Sequence, residues 1–483
     1  MKLISALFAG SLLMTPLGFA QDADKKDEKK ETPAAEAPKE PIKHEIDFEG
    51  NGTKYHFIFD STVAPDLTEW MDKELAPVCK EWYPKLVKLL PSEGYEASTN
   101  VTIKFSTTMG GTPAAAGGSG ISCNADWFRK NLKGEARGAV VHEMVHVVQN
   151  YGWGRRKNPN ATRTPGWIVE GIPDYLRWFM YEPESRGADI TSRNVSRAKY
   201  DASYRVTGNF LNWVTLKYDK DLARKLNAAA REGKYSEDLW KEYTGKPLAD
   251  LGTEWLDENK ARLDKAAEAT KLTDEQKAAG WKNLFDGADF IGWSNFKSDK
   301  VKLGWQVKDG LLVCEDPHNA GDLCTRQDYD WFELELEYNI SKGGNSGIMY
   351  RVGKEGGAAW ASGPEFQLED NAAAADPQRC GWLYGLYQPP IDPATGKPLD
   401  ATKPAGEWNK VRLVISPKGC EHWINGVKYF DYVLGSDDFN ARVAKSKFAK
   451  MPLFAKVPKG SIALQGDHGQ VSFRNIRLRE MKD

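Results

Sequence analysis

Hydrophobic and polar positions follow different rules in the two halves of the chain. Between residues 44 and 262, apolar residues recur mostly at helical spacing, with two early stretches of period two. His56-Phe57-Ile58-Phe59-Asp60 and Val101-Thr102-Ile103-Lys104-Phe105 alternate as half-buried strands do and flank a helical pattern over about 67–90. Residues 110–120 are rich in glycine and alanine and read as a loop. Ile121-Ser122-Cys123-Asn124-Ala125 then reads as a short edge strand onto which an extended peptide could add. Residues 135–151 form a nearly unbroken apolar run of helical length, and further helical patterns span 169–179, 204–218, 220–232 and 236–243. From residue 280 the texture becomes short alternating segments separated by Gly turns. Trp331-Phe332-Glu333-Leu334-Glu335-Leu336-Glu337-Tyr338 is the longest, and others lie at 345–351, 410–415, 422–426 and 471–474. Many short strands without a long helix predict a β-sandwich.

The ends and the junction have a different composition. Lys2, the apolar residues 3–13 and the small-residue end Gly18-Phe19-Ala20 predict a signal peptide over 1–20, hence export to the periplasm or beyond. Residues 21–43 are Lys/Glu/Ala/Pro-rich and lack aromatics, which predicts a disordered tether. Residues 263–279 are charged and Ala-rich, a connector between a domain over 44–262 and a sandwich over 280–483. With 483 residues, two domains is the natural expectation. The net charge of −2 gives no electrostatic footprint for nucleic acid, and no run after the leader is long enough to span a membrane. An exported chain can oxidise its six cysteines, and their split of two before residue 270 and four after it suits bridges within domains. That split leaves Cys79 only Cys123 to pair with. No Cys-x-x-Cys pair exists, so a thiolate metal site is not expected.

The chemistry concentrates in the 135–151 run, which contains His142-Glu143-Met144-Val145-His146. Four residues apart on a helix, the two imidazoles share a face and can reach one zinc ion. Glu143 projects beside them as a general base toward water. Downstream, Trp167-Ile168-Val169-Glu170-Gly171-Ile172-Pro173-Asp174 offers Glu170 as the third zinc ligand, and Asp174, one turn on, as a hydrogen-bond partner for a ligand histidine. Tyr204, with Tyr200 beside it, is the candidate donor to a tetrahedral oxyanion.

Val140-Val141-His142-Glu143-Met144-Val145-His146-Val147-Val148-Gln149, residues 166–177 and Tyr204-Arg205-Val206-Thr207-Gly208-Asn209-Phe210-Leu211 resemble the basic secretory protein family of zinc metallopeptidases. The resemblance implies an α+β gluzincin-like metallopeptidase domain with a peptide or protein substrate. Pro173 stands where that family has alanine, and a proline near a helix start is tolerated. In the second half, Leu284-Phe285-Asp286-Gly287, Gly344-Asn345-Ser346-Gly347, Glu365-Phe366-Gln367-Leu368-Glu369-Asp370-Asn371, Trp423-Ile424-Asn425-Gly426 and Leu464-Gln465-Gly466-Asp467-His468-Gly469 resemble the 3-keto-disaccharide hydrolase domain. This implies an all-β, concanavalin-like jelly roll that cleaves sugars oxidised at C3. The ketone acidifies the C2 proton and opens an elimination route. On the concave face Glu365 and His468 are expected as acid and base, Arg351 as the cation holding the ketone, and Gln367, Asp370 and Tyr384 as sugar-binding residues. A sandwich that binds carbohydrate without cleaving it is the alternative.

Overall fold

The computed structural model describes residues 40–481. The signal peptide expected over 1–20 and most of the tether over 21–43 lie outside the described residues. Two hydrophobic cores form, one from Ile46 to Trp255 and one from Phe285 to Leu478, so the two-domain organisation is seen directly.

The first domain is α+β. Its sheet runs Lys43–Gly50, Thr53–Asp60, Asn100–Ser106, Gly120–Asn124, Ala114–Gly117 in spatial order. The first two strands form a hairpin closed by Asn51 and Gly52, both at positive φ (53° and 76°), the combination that a tight Asn-Gly turn requires. Thr53–Asp60, Asn100–Ser106 and Gly120–Asn124 are parallel neighbours, and the helix Ala76–Leu89 makes the crossover between the first two. The sheet is covered by the helix Ala136–Gln149, of which 12 of 14 residues are buried. A helix apolar on all sides is one enclosed on all sides, which explains the unbroken run in the sequence.

The strand at 121–125 is not at the edge. Gly120–Asn124 pairs on both sides, and the edge belongs to Ala114–Gly117, inside the segment expected to be a loop. Alanine and glycine carry little strand propensity, so only the hairpin with Gly120–Asn124 and the packing on Ala136–Gln149 make this segment a strand. Pro173 also departs from expectation, lying well inside the helix Gly166–Leu176 rather than near its start. The expected connector is largely helical. Leu248–Ala269 is one continuous helix whose Leu263 and Ala266 pack on Ala288 of the second domain. All six cysteines are unpaired and buried, so neither the Cys79–Cys123 bridge nor any other is formed. They serve as small core side chains, and burial pushes each thiol above its usual pKa. Among the described residues, no helix is long and apolar enough to cross a membrane.

The second domain is a sandwich of a five-stranded and an eight-stranded sheet. Phe332–Ile340 shows why the period-two pattern was informative. Phe332, Leu334, Leu336, Tyr338 and Ile340 point into the core, while Glu333, Glu335 and Glu337 point out. The outward glutamates meet Arg479, Arg477 and Arg474 of the antiparallel neighbour Val471–Glu480 at 2.6–2.7 Å. The opposite sheet runs Glu365–Glu369, Asn345–Val352, Ser461–Leu464, Leu323–Thr325, Trp293–Asn295. Its edge strand turns Phe366 and Leu368 inward, which puts Glu365, Gln367 and Glu369 together on the outer face.

Candidate functional site

In the first domain the two helices that flank the cleft bring the expected ligands together. Nε2 of His142 lies 3.3 Å and Nε2 of His146 3.2 Å from the same Oε2 of Glu170, and the ligand atoms of the three lie within 4.8 Å of one another. The far sides of both rings are engaged. His142 Nδ1 is 2.7 Å from Asp174 Oδ1, and His146 Nδ1 is 2.7 Å from Gln149 Oε1. Burial opposes a charge on His142, but the bonds to Asp174 and Glu170 outweigh it and lift the ring to about 9. Burial likewise works to raise Glu170, and the two histidines more than reverse it, to about 2.

Glu143 is buried beside the histidines and faces the same cleft, a space of about 1190 Å³. Tyr204, the first residue of the helix Tyr204–Lys217, stacks over His142 with ring centroids 6.2 Å apart and remains half exposed. The negative charge of Glu170, followed by burial, raises its hydroxyl above the usual range, so it stays a donor. Tyr200 is not in the cleft. It packs on Trp167 and Phe210 and against Gly252, as a core residue. The edge strand Ala114–Gly117 forms one wall. Opposite it, Glu135 bridges Arg177 (2.9 Å) and Arg205 (2.7 Å), and Arg177 also holds the buried Glu182 at 2.6 Å. Gln149 and this ion network were missed as contributors. The position of Gln149 three residues after His146 was the available signal.

In the sandwich, Glu365, Gln367, Tyr384 and His468 line one cleft of about 310 Å³, with Asn345, Trp360, Asp376, Lys447 and Gln465. Glu365 lies across Gly347, where a Cβ would come within 2.0 Å of its Oε1. Burial raises Glu365 to about 8, with Lys447 only partly offsetting that, so its carboxyl is protonated at neutral pH. Tyr384 donates to Asp376 Oδ2 at 2.7 Å, and His468 Nδ1 pairs with Asp467. Gln367 Nε2 and Gln465 Oε1 are buried without a protein partner. Buried polar atoms left unpaired at a cleft wall are the groups a hydroxyl-rich ligand satisfies.

Two expected residues are elsewhere. Arg351 does not line this cleft: it is bound to Asp330 Oδ1 at 2.7 Å and stacked on Trp331 at 3.9 Å. Asp370 accepts from the backbone N–H of Gly343 (2.9 Å) and Ala372 (3.2 Å), a loop-fastening role. The cation at the cleft is instead Lys447, whose Nζ sits 4.1 Å over the Tyr384 ring and has no ion-pair partner among the described residues. It lies in a short 3-10 turn far along the chain, with no sequence pattern to mark it.

A curated protein of Bacteroides thetaiotaomicron, "3-keto-disaccharide hydrolase", is 31% identical over 250 residues, covering 44% of this chain and 83% of the relative. The chain belongs to the 3-keto-disaccharide hydrolase family. The family model described as the 3-keto-alpha-glucoside-1,2-lyase-like domain matches residues 280–479. Residues 44–255 match the family described as peptidase of plants and bacteria. A solved chain from Parabacteroides distasonis, described as a glycosyl hydrolase, is 31% identical over 44% of this chain and 99% of its own, with a TM-score of 0.39. A second one from the same organism is 26% identical over 42% and 99%, with a TM-score of 0.31. By sequence the chain joins an N-terminal region that matches a peptidase family to a C-terminal region that matches the 3-keto-disaccharide hydrolase family.

Proposed function

We propose that this is an exported protein with two reaction centres, a zinc-dependent peptidase of gluzincin-like type at the N-terminal domain and a 3-keto-glycoside-cleaving sandwich. The observation that carries the first is the meeting of His142, His146 and Glu170 with both Nδ1 atoms already bonded. That leaves the two Nε2 atoms and one carboxylate facing a single point, the donor set that suits catalytic zinc. A zinc ion held there supplies Lewis acidity to a peptide carbonyl and to water. Glu143 takes a proton from the attacking water and returns it to the leaving amine. Tyr204 donates to the oxygen on which negative charge develops. The free edge of Ala114–Gly117 offers backbone groups to an extended substrate along the cleft wall.

In the sandwich, His468, on the cleft wall, removes the C2 proton of a 3-keto-glycoside. The electron pair forms the C1–C2 double bond as the C1–O bond breaks, and Glu365 protonates the departing oxygen. Lys447 faces the charge that accumulates on the C3 oxygen during this step. Addition of water across C1–C2 makes the net reaction a hydrolysis. The curated relative and the protonated, buried Glu365 support this reading.

The peptidase is tested by casein hydrolysis with the full chain at equal zinc content. Glu143→Gln should lower turnover by roughly 100-fold or more; turnover that survives it refutes the assignment. Release of alcohol from a 3-keto-α-glucoside should persist in that variant and fall in Glu365→Gln. Binding of unoxidised glycan without any such turnover would instead make the sandwich a carbohydrate-binding module.

A further inference from the structure

Gln149 is enclosed, with 2% of its surface exposed, and its amide is fully committed. Its Nε2 donates to Val169 O at 3.0 Å and to the Tyr151 hydroxyl at 3.0 Å, and that hydroxyl in turn donates to Asn227 Oδ1 at 3.1 Å. With both amide protons used, only Oε1 can face His146, so the 2.7 Å contact must be Nδ1–H donating to Oε1. This places a proton on Nδ1 and makes Nε2, which faces Glu170 at 3.2 Å, the nitrogen left to bind a metal at that point.

The acceptor for this arrangement comes from Pro173. In the helix Gly166–Leu176 the carbonyl of Val169 would ordinarily accept from the N–H four residues on. That residue is Pro173, which has no N–H. The Val169 carbonyl therefore has no helical donor and accepts from Gln149, on the neighbouring helix Ala136–Gln149. The helix that supplies Glu170 so also clamps the residue that orients His146.

We infer that Gln149 is a positioning residue for the metal centre, held by the carbonyl that Pro173 leaves without a helical donor, and that it sets the tautomer of His146. The inference rests on the zinc reading of the cleft. It deepens that reading by linking the one proline inside the Glu170 helix to the orientation of a ligand on another helix.

Zinc affinity of the full chain, measured by competition with a chromogenic chelator, tests it without reference to turnover. Gln149→Leu should weaken binding by about 10- to 100-fold, the usual cost of losing a partner behind a ligand histidine. Pro173→Ala restores a competing N–H and should weaken it by about threefold while preserving the helix. Nitrogen NMR of the metal-free protein should show His146 protonated at Nδ1 in the natural sequence and a tautomer mixture in Gln149→Leu. Affinities of both variants within twofold of the natural protein, with an unchanged tautomer, overturn the inference. A loss in Gln149→Leu but none in Pro173→Ala overturns the part played by Pro173. A natural protein that binds no zinc at all refutes the reading of the cleft itself, a different failure.

Discussion

Gly347 gives the sharpest test of whether Glu365 works where it stands. In the antiparallel pairing of Asn345–Val352 with Glu365–Glu369, Gly347 stands opposite Gln367, and Glu365 lies two residues along, diagonal to it on the same face. A methyl group at 347 would lie 2.0 Å from Glu365 Oε1, 2.7 Å from Cδ and 2.9 Å from Cγ, all well inside the 3.4 Å at which ordinary contact begins. Backbone hydrogen bonds hold both strands, so the side chain of Glu365 must yield rather than the sheet. A shift of about 1 Å in a reacting group costs on the order of 100-fold in rate. Crowding one methyl into a packed site costs only about 1–3 kcal/mol in stability. Gly347→Ala should therefore fold and yet lose most of its turnover of a 3-keto-α-glucoside. Initial rates of alcohol release, with thermal unfolding measured in parallel, check both halves. Gly111→Ala, where a Cβ meets nothing within 4 Å, serves as the control. A Gly347→Ala protein that turns over at the natural rate would show that the carboxyl of Glu365 need not occupy this position, and would remove it as the acid.

The same carboxyl makes a pH prediction. Its pKa is raised to about 8, so the proton it donates is present below that pH and is lost above it. The sandwich reaction should decline on the alkaline side with a midpoint near 8, and Glu365→Gln should abolish that limb; a limb unchanged in the variant belongs to another group. In the first domain, Arg177→Met should be destabilising by about 3–5 kcal/mol, because it strands Glu182 in the interior with Lys300, at 3.7 Å, and the Ser185 hydroxyl, at 3.4 Å, to compensate. Chemical denaturation reads this directly, and a loss below about 1 kcal/mol would mean that Glu182 finds another donor or takes up a proton.

The two centres differ in how much of them the sequence discloses, and the difference is one of locality. The His142–His146–Glu170 cluster rests on spacings internal to helices. His142 and His146 are fixed by four residues of helical rise, and Glu170 and Asp174 by four more on a second helix, so only one long-range fact, the packing of the two helices, remained to be supplied. Even there, what escaped notice was non-local. Gln149 reaches a carbonyl twenty residues away, and the edge strand Ala114–Gly117 exists only because another strand and the motif helix hold it. Low intrinsic propensity hid it among residues that read as a loop.

The sandwich cleft is assembled almost wholly by non-local contacts, which is why its residues were only partly legible. Glu365 and Gln367 were expected only through the family resemblance, and it is the alternation of the strand Glu365–Glu369 that sets both on one face. Lys447 and Gln465 sit on segments far along the chain: the turn at 447–451 carries Lys447 over the strand, and Gln465 follows the strand Ser461–Leu464, its N–H bonded to Gly347 O at 2.9 Å. Arg351 shows the converse error. It lies on the next strand, Asn345–Val352, but its φ of 53° departs from strand geometry and sends the side chain to Asp330 and Trp331. Alternation cannot be extrapolated through a residue in the left-handed region, because the two-residue repeat that decides which face a side chain occupies ends there. The register between Met349 and Val352 shifts at this point, which is the structural trace of the same break. In the proposed elimination, negative charge develops on the C3 oxygen, and a nearby cation stabilises it. With Arg351 turned away and tied to a carboxylate, Lys447 is the cation at the cleft left unpaired among the described residues, which is why the proposed reaction gives that role to it.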